Sequence, residues 1–147
     1  MAGRDRIKLK TRAVIRRGRE VLLSYAIEPG TGARFGRFLG GGIEFGEHAE
    51  ATLRREIHEE IGVELGTVSL LGVIEDVCEW GGRHHHEVTF VFTATFADAE
   101  MYSRDAFTVD EDVCDGAAVW VPLERLTSGA IPMYPPELVT LLRAMPA

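Results

Sequence analysis

Residues 41–63, GGIEFGEHAEATLRREIHEEIGV, restrict the fold more than any other stretch of this chain. A glycine-dense loop (Gly40, Gly41, Gly42, Gly46) runs into a helical segment that opens near Glu47 to Ala49 and is closed by Gly62. At about 100° per residue with Glu56 as zero, Glu59 lies near −60° and Glu60 near +40°, so three carboxylates share one arc. Ala49, Leu53, Ile57 and Ile61 recur every four residues and form the face that should bury. Glu60 falls inside the edge of that face and Glu56 beside it. A partly buried carboxylate has to be paired, hydrogen-bonded or bound to a metal. A cluster of carboxylates without Cys or His suits a hard cation such as Mg²⁺.

Gly41, five residues, Glu47, seven residues, then Arg55-Glu56-Ile57-x-Glu59-Glu60-x-Gly62-Val63 is similar to the Nudix box, the signature of the Nudix hydrolases. The resemblance implies an α/β fold, the Nudix α/β/α sandwich with a mixed central β-sheet. It also implies Mg²⁺- or Mn²⁺-dependent attack of water on a diphosphate linkage, usually in a nucleoside diphosphate joined to another group. On that resemblance Glu56 and Glu60 bind metal and Glu59 bridges or acts as base. The Gly41 carbonyl is a candidate metal ligand, and Glu47 and Arg55 brace the loop against the helix. The family's Leu-Pro-Gly-Gly-Gly type segment is here Phe38-Leu39-Gly40-Gly41-Gly42, without the proline, which is expected to soften the loop.

A chain of 147 residues, 46% of them hydrophobic, is expected to form a single domain over 1–147 with a sizeable core. No apolar run approaches the roughly 18 residues a membrane span needs, and the N-terminus lacks an apolar signal region, so the expected setting is cytoplasmic. Cys78 and Cys114 read as free thiols. The net charge of −7 argues against nonspecific binding to nucleic-acid backbones; the Nudix resemblance implies a small nucleotide-like molecule as the partner. A homodimer is compatible with all of this. Residues 1–20 nevertheless carry eight basic side chains against Asp5 and Glu20. The ordinary reading of these is the solvated face of a hairpin; the alternative is a basic edge for phosphates.

Ile7, Leu9, Thr11, Ala13 and Ile15 alternate with charged residues, and with 20–25 they predict a hairpin. Residues 28–36 read as a flexible rim from their glycine and proline content. Arg34 and Arg37 precede the glycine loop and are candidate phosphate contacts, against the plain reading of solvated arginines. Residues 68–74 and 87–96 predict strands connected through Trp80-Gly81-Gly82-Arg83. Trp80 is a candidate to stack on a base or ribose, with loop packing as the equal alternative. His84, His85 and His86 are adjacent and cannot converge on one ion, which assigns them to a strand edge. In the acidic run Asp105–Asp115, the resemblance puts a further metal ligand or general base at Glu111, Asp112 or Asp115, in that order. Val119–Leu123 predicts the last strand, and the segment from Pro135 a helix over the second face of the sheet.

These readings converge on a hydrolase that cleaves a diphosphate linkage in a nucleoside diphosphate derivative or nucleoside triphosphate. The alternative is a catalytically silent Nudix-fold protein that binds or senses a nucleotide. Retention of all three acids speaks for hydrolysis. A purely structural helix with Arg54 and Arg55 as counter-ions is the third reading; the angular positions of both arginines, near 160° and −100°, place them outside the carboxylate arc.

Overall fold

The computed structural model describes residues 5–109 and 116–146, except the side chain of Trp80. Glu111, Asp112, Cys114 and Asp115 therefore lie outside the described residues, as does the stacking assigned to Trp80.

The predicted N-terminal hairpin is present as β1 (Lys8–Arg17) and β2 (Glu20–Ile27), turned at Gly18 with φ 60°. The rim read as flexible is in part a strand. Arg34–Arg37 forms β3 and pairs antiparallel with β2, Ser24 opposite Arg37 and Ile27 opposite Arg34. Gly36 is not a chain breaker there. A Cβ on it would meet Met133 Sδ at 2.6 Å and Leu23 Cδ2 at 2.8 Å, so glycine serves close packing inside a strand.

Helix α1 (Ala49–Ile61) matches the expected span, and Gly62 closes it in the left-handed region at φ 70°. The chain then enters β4 (Leu65–Trp80), which turns through Gly81 and Gly82, both at positive φ, into β5 (Arg83–Phe96). Two consecutive positive φ values match the right-handed twist of the flanking strands, which lets the two strands run longer than the sequence reading gave them. His84, His85 and His86 fall within β5 and alternate in direction. His84 and His86 pair with Glu79 at 3.4 Å and Glu75 at 3.0 Å.

After a 3₁₀ turn (Ala99–Ser103) come β6 (Ala106–Thr108), β7 (Ala117–Pro122), α2 (Leu123–Thr127) and α3 (Glu137–Arg143). The sheet order is β4-β5-β1-β2-β7-β6 with β3 on β2. The β1–β5 pairing is parallel and the other pairings are antiparallel, which makes the sheet mixed.

Side-chain alternation builds a layer on each face of this sheet. Ala13, Ile15, Leu22 and Leu39 pack with Leu53, Ile57 and Ile61 of α1. Val14, Val21, Leu23 and Phe38 pack on the opposite side with Leu126, Leu138 and Leu142. The result is an α/β/α sandwich. Among the described residues no helix is long and apolar enough to cross a membrane.

Candidate active site

The glycine loop is stitched to the start of β1. Thr11 N–H donates to the Gly41 carbonyl at 2.8 Å, Ala13 N–H to Leu39 at 2.8 Å, and Ile43 N–H to Leu9 at 2.9 Å. Thr11 is fully buried, and its hydroxyl lies 3.2 Å from the same Gly41 carbonyl. The loop that lacks the proline is held to β1 by strand-like backbone pairing. The Gly41 carbonyl, the candidate metal ligand, thus lies on the Thr11 N–H and hydroxyl in this structure.

The carboxylates meet this loop from α1. Glu60, 5% exposed, accepts the Gly40 N–H at 3.0 Å. The Glu56 carboxyl lies directly against Gly41, where any Cβ would overlap it, and its side chain is 13% exposed. Two acids one helical turn apart thus abut two consecutive glycines. That placement follows from the apolar stripe: burying Leu53, Ile57 and Ile61 against β1 carries Glu56 and Glu60 to the edge of the interface.

Glu59 is the most exposed of the three acids. Its side chain is 56% exposed, and both oxygens lie 3.2 Å from Arg55 Nη1. Among the described residues no three His, Cys, Asp or Glu side chains are gathered at metal-holding range.

Arg55 corrects the angular argument against a counter-ion. Its Nη1 donates to Glu56 Oε1 at 3.0 Å as well as to Glu59, while Nε and Nη2 hold the two oxygens of Glu47 at 2.8 and 3.0 Å. A direction measured at Cα does not bound a long side chain whose forked head carries five donors. Arg54 points elsewhere, to Glu50 and the carbonyls of Leu65 and Gly66. Glu47 also accepts the Thr52 hydroxyl at 2.7 Å and the Glu44 N–H at 3.3 Å. Arg55, and after it the Thr52 hydroxyl, hold the Glu47 carboxyl down to about 2, and the Glu47 contact likewise raises the Arg55 pKa. Glu47 and Arg55 thus share a charge-assisted network that reaches the Glu44 N–H and the Gly42 carbonyl.

The oxygen donors suit a hard divalent ion. Glu56 and Glu60 converge on one short backbone segment, and Glu56 already attracts a positive group in the form of the Arg55 guanidinium.

A cleft of about 270 Å³ opens on the other face of β1. Its floor carries Lys8, Lys10 and Arg12, which alternate with the residues that face α1, and Arg37 of β3 joins them. Asp76 and Cys78 of β4 with His85 and Glu87 of β5 continue the lining on the neighbouring strands of the same sheet. Phe35 and Tyr134 lie at its mouth, in edge contact with ring centroids 5.4 Å apart. Lys10 pairs with Glu87 at 2.9 Å. Desolvation, then the hydrogen bond to Asp76, pushes the Cys78 thiol pKa up.

The two candidate phosphate arginines are separated. Arg37 lines the cleft, whereas Arg34 stacks over Tyr25 at 4.4 Å. The basic residues of β1, assigned above to a solvated hairpin face, instead line the cleft. Their alternation at 8, 10 and 12 was the available signal. Asp76, His85 and Tyr134 gave no such signal, since strand register and the α3 approach bring them there.

The model of the NUDIX domain matches residues 8–143. The chain belongs to the Nudix hydrolase family. It is 33% identical over 88 residues to a putative mutator protein MutT4 from Mycobacterium tuberculosis (strain CDC 1551 / Oshkosh). That match covers 60% of this chain, and the chain spans about a third, 33%, of that relative's length. A MutT NUDIX hydrolase from Burkholderia pseudomallei superposes with a TM-score of 0.70 at 25% identity, covering 96% of this chain and 100% of that one. A NUDIX hydrolase from Nitrosomonas europaea gives 0.66 at 23% identity, covering 94% and 86%, and supports the fold. The Nudix sandwich expected from the box is thus the fold observed.

Proposed function

We propose that this Nudix protein hydrolyses a diphosphate linkage in a nucleoside diphosphate derivative or nucleoside triphosphate, with Mg²⁺ or Mn²⁺ held by Glu56 and Glu60. The observation that carries this reading is the placement of these two carboxylates against the Gly40–Gly41 backbone, beside a strand whose other face floors a basic cleft. The bound ion supplies charge neutralisation of the diphosphate and acidification of water.

The chain's own groups do the rest. Gly40 fixes Glu60 through its N–H, and Arg55 fixes Glu56 and Glu59. Gly41 allows close approach by having no side chain. Glu59, the most exposed of the three acids, has access to solvent water and is the candidate base among the described residues. Glu111 remains the further candidate on the acidic run. Lys8, Lys10, Arg12 and Arg37 attract the anionic substrate to the cleft.

The test is turnover by the purified protein, with Mg²⁺ or Mn²⁺, of a panel of dinucleotides, nucleotide sugars, and nucleoside di- and triphosphates in ¹⁸O water. Label in one product identifies the phosphorus attacked. Failure to turn over any member would sink the hydrolytic reading and favour a nucleotide-binding role.

A further inference from the structure

The lining of the cleft breaks a rule of strand pairing. Asp76 of β4 stands directly opposite Glu87 of β5, so two carboxylates face each other across an antiparallel pair, which costs stability unless it is compensated. Lys10 compensates Glu87 at 2.9 Å. Lys8 stands opposite Glu87 on its other side, two strands away from Asp76. Among the described residues no salt bridge includes Asp76. What it does accept is the Cys78 thiol at 3.4 Å, a weak donor. A half-buried carboxylate with about four acceptor positions is left with capacity for stronger donors, and it lines a cleft that a substrate can enter.

The surroundings of Asp76 say which part of a substrate would bring those donors. Ile74 on the same face of β4, with Phe38, Val91 and Leu138, makes the adjoining lining apolar. A phosphate placed against Asp76 would meet like charge, whereas a ring covers apolar surface with its body and presents polar groups at its edge. The two oxygens of a carboxylate match two donors on neighbouring atoms. Resting on the hydrolase reading above, we propose that Asp76 is a specificity-determining residue, which holds the end of the substrate that carries no phosphate through a pair of adjacent N–H or O–H donors.

Two groups have that chemistry, the imino–amino edge of a purine base and a vicinal diol of the appended sugar. Two matched substrate pairs distinguish them: guanosine against inosine triphosphate, which differ in the 2-amino group, and a nucleoside diphosphate hexose against its 2-deoxyhexose analogue. The wild type is expected to favour the donor-complete member of at least one pair by about tenfold or more in kcat/KM, the scale of a hydrogen bond to a charged group, with most of the difference in KM. The pair that shows the preference names the source. Asp76→Asn keeps the shape of the side chain but only one of its acceptor oxygens, and should abolish that preference.

The fold of the variant is checked by circular dichroism. Equal kcat/KM within both pairs, or a preference that survives Asp76→Asn, overturns the proposal and leaves diphosphate hydrolysis intact. If no substrate is cleaved the hydrolase reading fails, and calorimetric binding of guanosine and inosine monophosphates, and of a hexose 1-phosphate and its 2-deoxy counterpart, decides the role of Asp76. Equal affinities within both of those pairs, or a difference that the variant keeps, overturn it there too.

Discussion

At Gly41 one hydrogen atom in place of a methyl group decides where a carboxylate sits. A Cβ there would overlap the Glu56 carboxyl, whereas the backbone around it is fixed by Thr11 and tolerates the change. Gly41→Ala should therefore leave the fold intact and expel Glu56, weakening Mn²⁺ binding in calorimetry and activity by about a hundredfold, the upper end for a disturbed ligand frame. Glu47 makes a prediction of opposite kind. Its folded pKa, about 2, lies below the ordinary 4.5, so its contribution to stability is full above that ordinary value. It is lost as protons bind on the way down to about 2. Urea titrations between pH 5 and 2 should show that slope, and Glu47→Gln should flatten it. Arg55 is the reason both effects coexist, because a single guanidinium holds Glu47, Glu56 and Glu59 at once. Periodicity placed Glu56 and Glu59 on one arc of the helix yet excluded Arg55 as their partner, since it reports where side chains start and not where long ones end.

Among the elements, α1 was the most legible. Its stripe, its closing glycine and its acids are local signals, and each reappears in place: Leu53 and Ile57 are fully buried, and Gly62 is left-handed. Leu53→Ala should cost about 2–5 kcal/mol in denaturant unfolding, as for other fully enclosed leucines. β3 was illegible for a physical reason. Arg34-Phe35-Gly36-Arg37 has no strand pattern of its own, and what makes it a strand is its pairing with residues 24–27 of β2, beyond the β2 residues that pair with β1 and β7, and the tight seat of Gly36 on Met133 and Leu23. The β4–β5 hairpin was partly legible: Gly81-Gly82 marked its turn, but the polar ends near Glu79 and His84 hid its length. Thr11 is the element-level counterpart of Gly41. Thr11→Val keeps the shape and removes the hydroxyl from the Gly41 carbonyl, a bond worth about 1 kcal/mol. Thermal unfolding should register that loss, and kcat should fall about tenfold as the loop loosens.

Over the whole molecule, charge is segregated: a basic cleft lies within an acidic chain. Substrate capture should accordingly weaken with salt. KM is expected to rise several-fold between about 50 and 500 mM NaCl, as the screening length shrinks from well over 10 Å to a few ångströms, with kcat changing less. An ionic-strength series with constant free Mg²⁺ measures it, and an unchanged KM would count against the cleft as the capture site. The mixed sheet and its two flanking layers were readable from the Nudix box together with the strand patterns. The cleft was not, since its walls come from β1, β3, β4, β5 and the approach to α3, which only register assembles. Strand β1 belongs to both sites: Thr11 points towards the glycine loop, while Lys10 and Arg12 on either side of it point into the cleft. The backbone step of about 3.4 Å is thus the ruler between bond cleavage and anion capture. With Ala13, Val14 and Ile15 held in the core, loss of the one residue between Thr11 and Ala13 would turn a hydroxyl towards the cleft and a cation towards the helix, so both capacities would vanish in a single slip rather than fade separately.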